Sequence, residues 1–184
     1  MQLFLIRGLV AIAWAAVFAA ASDSVTTGVT VGAAVLVVLY PLIDTVASLI
    51  DAHSKPGSAR RLLLANAAVS AVAAIALAVA ATGSVADVVA VFGAWAAITG
   101  AAQLVVALRR RAQFGRQWPM LLAGGGSIIG GVAYLIAAAG GQPRLGMLAV
   151  YAATGGADFV IQAGLLARRR RRLATASDPV LSVG

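Results

Sequence analysis

The stretch VADVVAVFGAWAAITGAAQLVVALRRR, residues 85–111, runs for twenty-four residues with one acid near its start and then meets three consecutive arginines. A helix rises about 1.5 Å per residue, so roughly 20 apolar residues cross the hydrocarbon layer of a bilayer. Lipid offers the backbone no hydrogen bonds, so a run of this length is helical when it spans. The arginines that end it are residues a bilayer core rejects and an interface holds. Five more stretches have the same character: Leu3–Ala21, Val25–Ile50, Leu62–Ala81, Pro119–Ala139 and Leu145–Ala167. The sequence therefore predicts an all-α membrane protein of six transmembrane helices.

Composition agrees. Of 184 residues, 61% are hydrophobic, against roughly 45–50% in soluble domains. One core of this size cannot hide that much apolar surface, whereas a lipid-facing surface can display it. The net charge of +8 does not point to nucleic acid, because the basic residues flank apolar runs and sit in short connectors. Cysteine is absent and His53 is the single histidine. Thiolate chemistry, disulfides and histidine-rich metal sites are thereby excluded. No cofactor is expected, and no nucleophile–base pair suggests an enzyme.

The connectors alternate in kind. Those at 21–25, 82–85 and 140–145 are short. Those at 51–61 and 109–118 are longer and basic, as is the end of the chain. Short turns force antiparallel neighbours, which predicts three consecutive helix hairpins. Thirteen of the Lys and Arg residues fall on one face: Arg7, Lys55, Arg60, Arg61, Arg109, Arg110, Arg111, Arg116, Arg168, Arg169, Arg170, Arg171 and Arg172. Arg144 alone falls on the other. The positive-inside rule then puts both termini in the cytoplasm, with Asp23, Asp87 and Arg144 outside and the basic ends on anionic lipid. The alanine-, valine- and arginine-rich usage suggests a bacterial chain, hence a plasma (inner) membrane. Trp118 is the best interfacial anchor. Ala19–Ala21 resembles a signal-peptide cleavage site, but no charged region precedes the apolar run, so the first helix is expected to be retained. Residues 168–184 read as a basic stop-transfer run followed by a disordered cytoplasmic tail from Leu173. Residues 1–167 read as one transmembrane domain.

Within that domain the chain repeats with a period of 55–59 residues, in units of about 1–54, 60–109 and 118–168. Asp44, Thr99 and Asp158 fall in register on the even-numbered helices, and so do Ser48, Gln103 and Gln162 four residues later. Arg7, Asn66 and Gly124 align on the odd-numbered ones. Each unit crosses twice, so the repeats predict a pseudo-threefold axis along the membrane normal, with Asp44, Thr99 and Asp158 at one depth near mid-membrane. In this respect Gly93–Arg111, Gly124–Tyr134 and Ala157–Gln162 are similar to the HdeD-like acid-resistance membrane proteins, built from a short repeated two-helix domain of unknown function. The resemblance covers nearly the whole chain, through short apolar motifs. It departs at Thr45 and Phe159, where the family typically has glycine. It implies a six-helix inner-membrane protein linked to acid stress, and no catalytic residue.

The candidate polar site is Asp44, Thr99, Asp158, Ser48, Gln103, Gln162 and Arg7. A mid-membrane carboxylate costs about 2.5–3.5 kcal/mol on insertion scales, so it faces the bundle and finds a partner. Two readings stand for Asp44 and Asp158: carboxyls that fasten helices, or groups that hold and relay a proton in a small channel or transporter. Arg7 is expected to snorkel to the headgroups, with a pair to Asp44 or Asp158 as the other reading. Ser48, Gln103 and Gln162 are expected to bond across helices. Gly126/Gly130, Ser127/Gly131 and Ala11/Ala15/Ala19 have small-residue spacing for close helix packing. His53 reads as a solvated connector residue. The expected partners are the bilayer and, beyond it, further copies of the chain or a larger membrane complex.

Overall fold

A computed structural model describes residues 2–22, 28–114, 118–141 and 143–176. For residues 3, 4, 109–114, 119 and 169–176 it describes the backbone alone. Asp23, Arg116 and Asp178 lie outside the described residues, and the side chains of Arg109–Arg111 and Arg169–Arg172 are likewise undescribed. The described residues form six helices: α1 (Gln2–Ser22), α2 (Val31–His53), α3 (Gly57–Ala80), α4 (Val85–Phe114), α5 (Trp118–Ala139) and α6 (Met147–Ala176). Each contains a segment long and apolar enough to cross a membrane, and no strand occurs among the described residues.

Helix ends depart from the apolar runs for local reasons. The second helix begins at Val31 rather than at Val25, because Thr30 takes an extended conformation and its hydroxyl accepts from the Ala33 N–H at 3.2 Å, capping the first turn. Ser84 and Asp87 form a reciprocal cap on α4: Ser84 N–H donates to the Asp87 carboxylate at 2.8 Å and Asp87 N–H to Ser84 Oγ at 3.2 Å. Beyond α5, Gly141 has φ +74°, the left-handed conformation that glycine adopts without a Cβ clash. At the basic ends, α4 runs six residues past Leu108 and α6 nine past Ala167. Residues 173–176, expected as disordered tail, are therefore helical. Hydropathy marks where lipid ends, whereas arginine, leucine and alanine all favour helix and carry it on.

Each helix packs against its sequence neighbours, and α1 packs against α6, so the six close into a ring. The short turns do join contacting helices. The most extensive packing, however, lies between units, in the pairs α4·α5, α2·α3 and α1·α6. Small residues explain two of these. A Cβ built on Gly131 would fall 2.5 Å from the Gly93 carbonyl oxygen, and one on Gly100 would fall 2.8 Å from that of Gly124. Gly8 and Gly156 meet reciprocally, each placing a built Cβ 2.8 Å from the other's carbonyl oxygen. Backbones approach this closely only where side chains are missing. The contact pair on α5 is thus Gly124 and Gly131, two turns apart. Gly126, expected to pack, has nothing within 4 Å of its Cβ position, and Gly130 only Tyr151 at 3.7 Å. On α1, Ala11 and Ala15 are buried and Ala19 is exposed.

The ring is apolar outside, and its polar side chains gather within one half. Large apolar side chains stand exposed along outer stripes, such as Val72, Ile75 and Val79 on α3 and Leu122, Ile129 and Ile136 on α5. Inside, the half of the bundle toward the short connectors is dry. Phe18, Val37, Leu77, Val88, Val89, Phe92 and Leu148 are completely buried there. Aromatic rings tie this half together: Trp14 stacks on Phe18 at 4.6 Å, and Phe92 meets Trp95 and Tyr151 edge-on at 5.3 Å each. Such pairs contribute about 0.5–1.5 kcal/mol beyond the area they bury.

Candidate functional site

Asp44 sits on α2 in a stripe with Ser48 and Asp51, at i, i+4 and i+7. Asn66 and Ser70 form a matching stripe on α3. Close α2·α3 packing brings the two together. The Asp44 carboxylate accepts three donors: the Arg7 guanidinium on one oxygen, and Asn66 Nδ2 at 2.7 Å and Ser70 Oγ at 2.8 Å on the other. The Asn66 amide also reaches Ser48 Oγ at 2.9 Å. Trp95 Nε1 donates to Ser70 Oγ at 3.1 Å, so a hydrogen-bond chain runs from α4 through α3 to the carboxylate. Ser48 and Ser70 are fully buried, and among the described residues no buried side-chain N or O atom lacks a partner. An unpaired polar atom here would carry the whole cost of its desolvation.

Arg7 does not snorkel. Its side chain is only 17% exposed; it pairs with Asp44 and has Asp51 at 3.6 Å. Its guanidinium also lies 5.1 Å from the centre of the Phe159 ring, a cation–π distance. Residue 7 is one turn inside α1, close enough to the bundle axis for two carboxylates to outcompete the headgroups. Phe159, the position where the resemblance expects glycine, supplies the third wall around the charge.

The other predicted residues divide. Asp158 is bonded to Gln162 on its own helix, four residues on. Thr99 turns its hydroxyl to the carbonyls of Trp95 and Ala96 at 2.9 and 3.2 Å, a back-bond common for hydroxyls within helices, with the Tyr151 hydroxyl of α6 also in hydrogen-bonding reach. Of the three side chains expected to bond across helices, Ser48 does so, through Asn66, and Gln162 bonds within α6. Gln103 faces a cavity. Trp118 opens α5 and is 52% exposed, as an interfacial anchor would be. His53 is exposed at the end of α2.

The cavity gathers most of them. About 900 Å³ of space inside the ring is lined by Arg7, Asp44, Ser48, Thr99, Gln103 and Asp158. Asp51 and Lys55 line it at the basic connector, and Trp14, Tyr40, Trp95 and Tyr151 line it where the dry half begins. The space therefore reaches from the connector end to the middle of the bundle and stops at the aromatic cluster. It falls within the size range of ligand sites, about 300–1,000 Å³. Among the described residues, no group of three His, Cys, Asp or Glu side chains is placed to hold a metal ion.

Sequence reasoning passed over Asn66, Ser70, Asp51 and the Trp95 indole as site residues. Two of these carried a signal: Asn66 aligns with Arg7 in the repeat, and Ser70 follows Asn66 by one turn in the otherwise apolar stretch from Leu62 to Ala80. Six helices able to cross a membrane, with exposed apolar stripes outside and ion-paired side chains inside, make this a polytopic membrane protein. Comparison with protein-family models, with curated proteins and with solved structures returned no match.

Proposed function

We propose that the protein is a small, non-enzymatic channel or transporter whose cavity gives a proton access to Asp158, with the Arg7–Asp44 cluster as its fixed brace. The cavity carries this reading. A protein serving only as packing has no use for some 900 Å³ of space in its middle with Asp44, Gln103 and Asp158 among its lining. The two aspartates have different surroundings. Asp44 is saturated by a guanidinium, an amide and a hydroxyl on neighbouring helices. Asp158 lines the same space with one partner, a glutamine on its own helix. An intramembrane acid that water reaches and no cation neutralises is a natural proton acceptor. The aromatic cluster closes the far half, so passage requires that the rings part or the helices rock. We place the basic ends in the cytoplasm of a bacterial plasma membrane, against anionic lipid.

The test is a pH jump across proteoliposomes loaded with a fluorescent pH indicator. Wild-type protein should speed equilibration over empty vesicles, Asp158→Asn should return it to the empty-vesicle rate, and an Asp87→Asn control should match wild type. Equal rates for wild type, Asp158→Asn and empty vesicles would sink the reading.

One observation favours a second reading. The full saturation of Asp44 is what a helix fastener needs, and the HdeD-like resemblance suggests a membrane protein of acid stress that acts through packing with itself, lipid or a larger complex. On that reading the protein leaves native membranes in stoichiometric association with copies or partners, and flux is absent.

A further inference from the structure

We infer that the cavity binds a hydrophobic organic monocation, held between the Asp158 carboxylate and the aromatic wall. This deepens the proposed function, since it names the solute class for the same cavity. Charge is the first ground. Three carboxylates line the space, Asp44, Asp51 and Asp158, against two cations, Arg7 and Lys55. Arg7 is already held by Asp44 and Asp51, and Lys55 is exposed in the connector at the mouth. The deep end therefore keeps one carboxylate, Asp158, that forms no ion pair among the described residues; its hydrogen bond comes from a neutral amide. The second ground is the wall. Trp14, Tyr40, Trp95 and Tyr151 all line the same space. Aromatic faces attract cations electrostatically, most strongly where water is excluded, and cages of such rings are how quaternary cations are recognised. The third ground is size. A space of about 900 Å³ admits a multi-ring ligand, and bare metal ions or ammonium would leave most of it empty.

A hydrophilic cation would lose hydration that one carboxylate does not replace. An anion would face the Asp158 carboxylate, whose hydrogen-bond donor is a neutral amide, and rings that offer no positive charge. An aromatic or quaternary cation meets neither difficulty, because its charge is spread over apolar groups that the rings can cover.

The experiment uses the full chain purified in detergent, with tetraphenylphosphonium as probe and tetraphenylborate, of the same shape and opposite charge, as its control. Binding is followed by quenching of tryptophan fluorescence, since Trp14 and Trp95 line the space, and by equilibrium dialysis against protein-free micelles. Tetraphenylphosphonium should bind saturably at one site and at least tenfold more tightly than tetraphenylborate. Asp158→Asn should lose tenfold or more, while Asp87→Asn, on the exposed first turn of α4, should bind as wild type does. Equal affinity for the two probes in wild-type protein would overturn the inference whether or not the Asp158 variant folds. Unchanged affinity in a folded Asp158→Asn protein would also overturn it. Saturable, Asp158-dependent binding without proton flux in vesicles would uphold the cation site and refute the transport reading. Flux without such binding would do the reverse.

Discussion

Three consecutive glycines on α5 should respond to alanine in two opposite ways, and a fourth should respond most of all. In an unobstructed helix, Gly→Ala gains about 0.5–1 kcal/mol by removing backbone freedom from the unfolded chain. Gly125 is such a position, with nothing within 4 Å of its built Cβ. Gly124 is not: its Cβ would lie 2.9 Å from Leu104 N, 3.0 Å from the Gly100 carbonyl oxygen and 3.3 Å from Leu104 Cα. Gly131 is worse, at 2.5 Å from the Gly93 carbonyl oxygen and 2.6 Å from Ala97 N. All but one of the nearest obstructing atoms at these two sites are backbone, so no rotamer relieves the clash and α4 must move from α5. Overpacking costs about 1–3 kcal/mol, and the Gly131 geometry belongs at the top of that range. Subtracting the helix gain leaves Gly131→Ala destabilising by about 2 kcal/mol and Gly124→Ala by about 1 kcal/mol, with Gly125→Ala stabilising by up to about 1 kcal/mol. The assay is reversible unfolding of the purified protein in mixed micelles of mild detergent and dodecyl sulfate, followed by helical circular dichroism. Refutation would be Gly131→Ala at wild-type stability, or Gly124→Ala and Gly125→Ala shifting in the same direction by the same amount.

The same unfolding assay tests the ion pair. Asp44→Ala leaves Arg7 with Asp51 and the Phe159 ring, leaves Asn66 with Ser48 alone and strips Ser70 of its acceptor, an expected loss of about 3 kcal/mol, the low end of the range for a broken buried pair because this one is part-buried. Adding Arg7→Ala should cost less than the two single losses together, and strict additivity would mean that no pair exists. Trp95→Phe keeps the ring and removes only the bond to Ser70, so a loss near 1 kcal/mol is expected, the usual net worth of one hydrogen bond. Single cysteines at 55 and 144 should be labelled by an impermeant thiol reagent from opposite sides, with 144 outside in intact cells; labelling at 55 from outside would reverse the proposed topology. An experimental structure should superpose the three two-helix units by rotation about the membrane normal, with Asp44, Thr99 and Asp158 within about two helical turns of depth, some 11 Å; a wider spread would make the repeat register coincidental.

Hydropathy and length located all six helices, because crossing lipid is a one-dimensional demand that about 20 apolar residues meet wherever they stand in the chain. Cap chemistry was equally local: Thr30 and the Ser84/Asp87 pair could be read from spacing alone, although apolar runs by themselves put the start of α2 six residues early. The candidate acids were legible too, since a carboxylate in an apolar run announces itself by its cost. Which acid is braced and which is open was not. Arg7, Asn66 and Ser70 converge on Asp44 from helices 37, 22 and 26 residues away in sequence, and only the closure of α1, α2 and α3 in one ring brings them there. The same holds for the glycines. Spacing marked both Gly126/Gly130 and Ser127/Gly131 as packing pairs; contact with α4 falls on Ser127 and Gly131, and on Gly124, but not on Gly126 or Gly130, because the facing helix α4 presents its own gaps at Gly93 and Gly100, two turns apart. A helix carries its periodicity in its own sequence, but the face it buries depends on its partner, and so does the space left in the middle when six such faces meet.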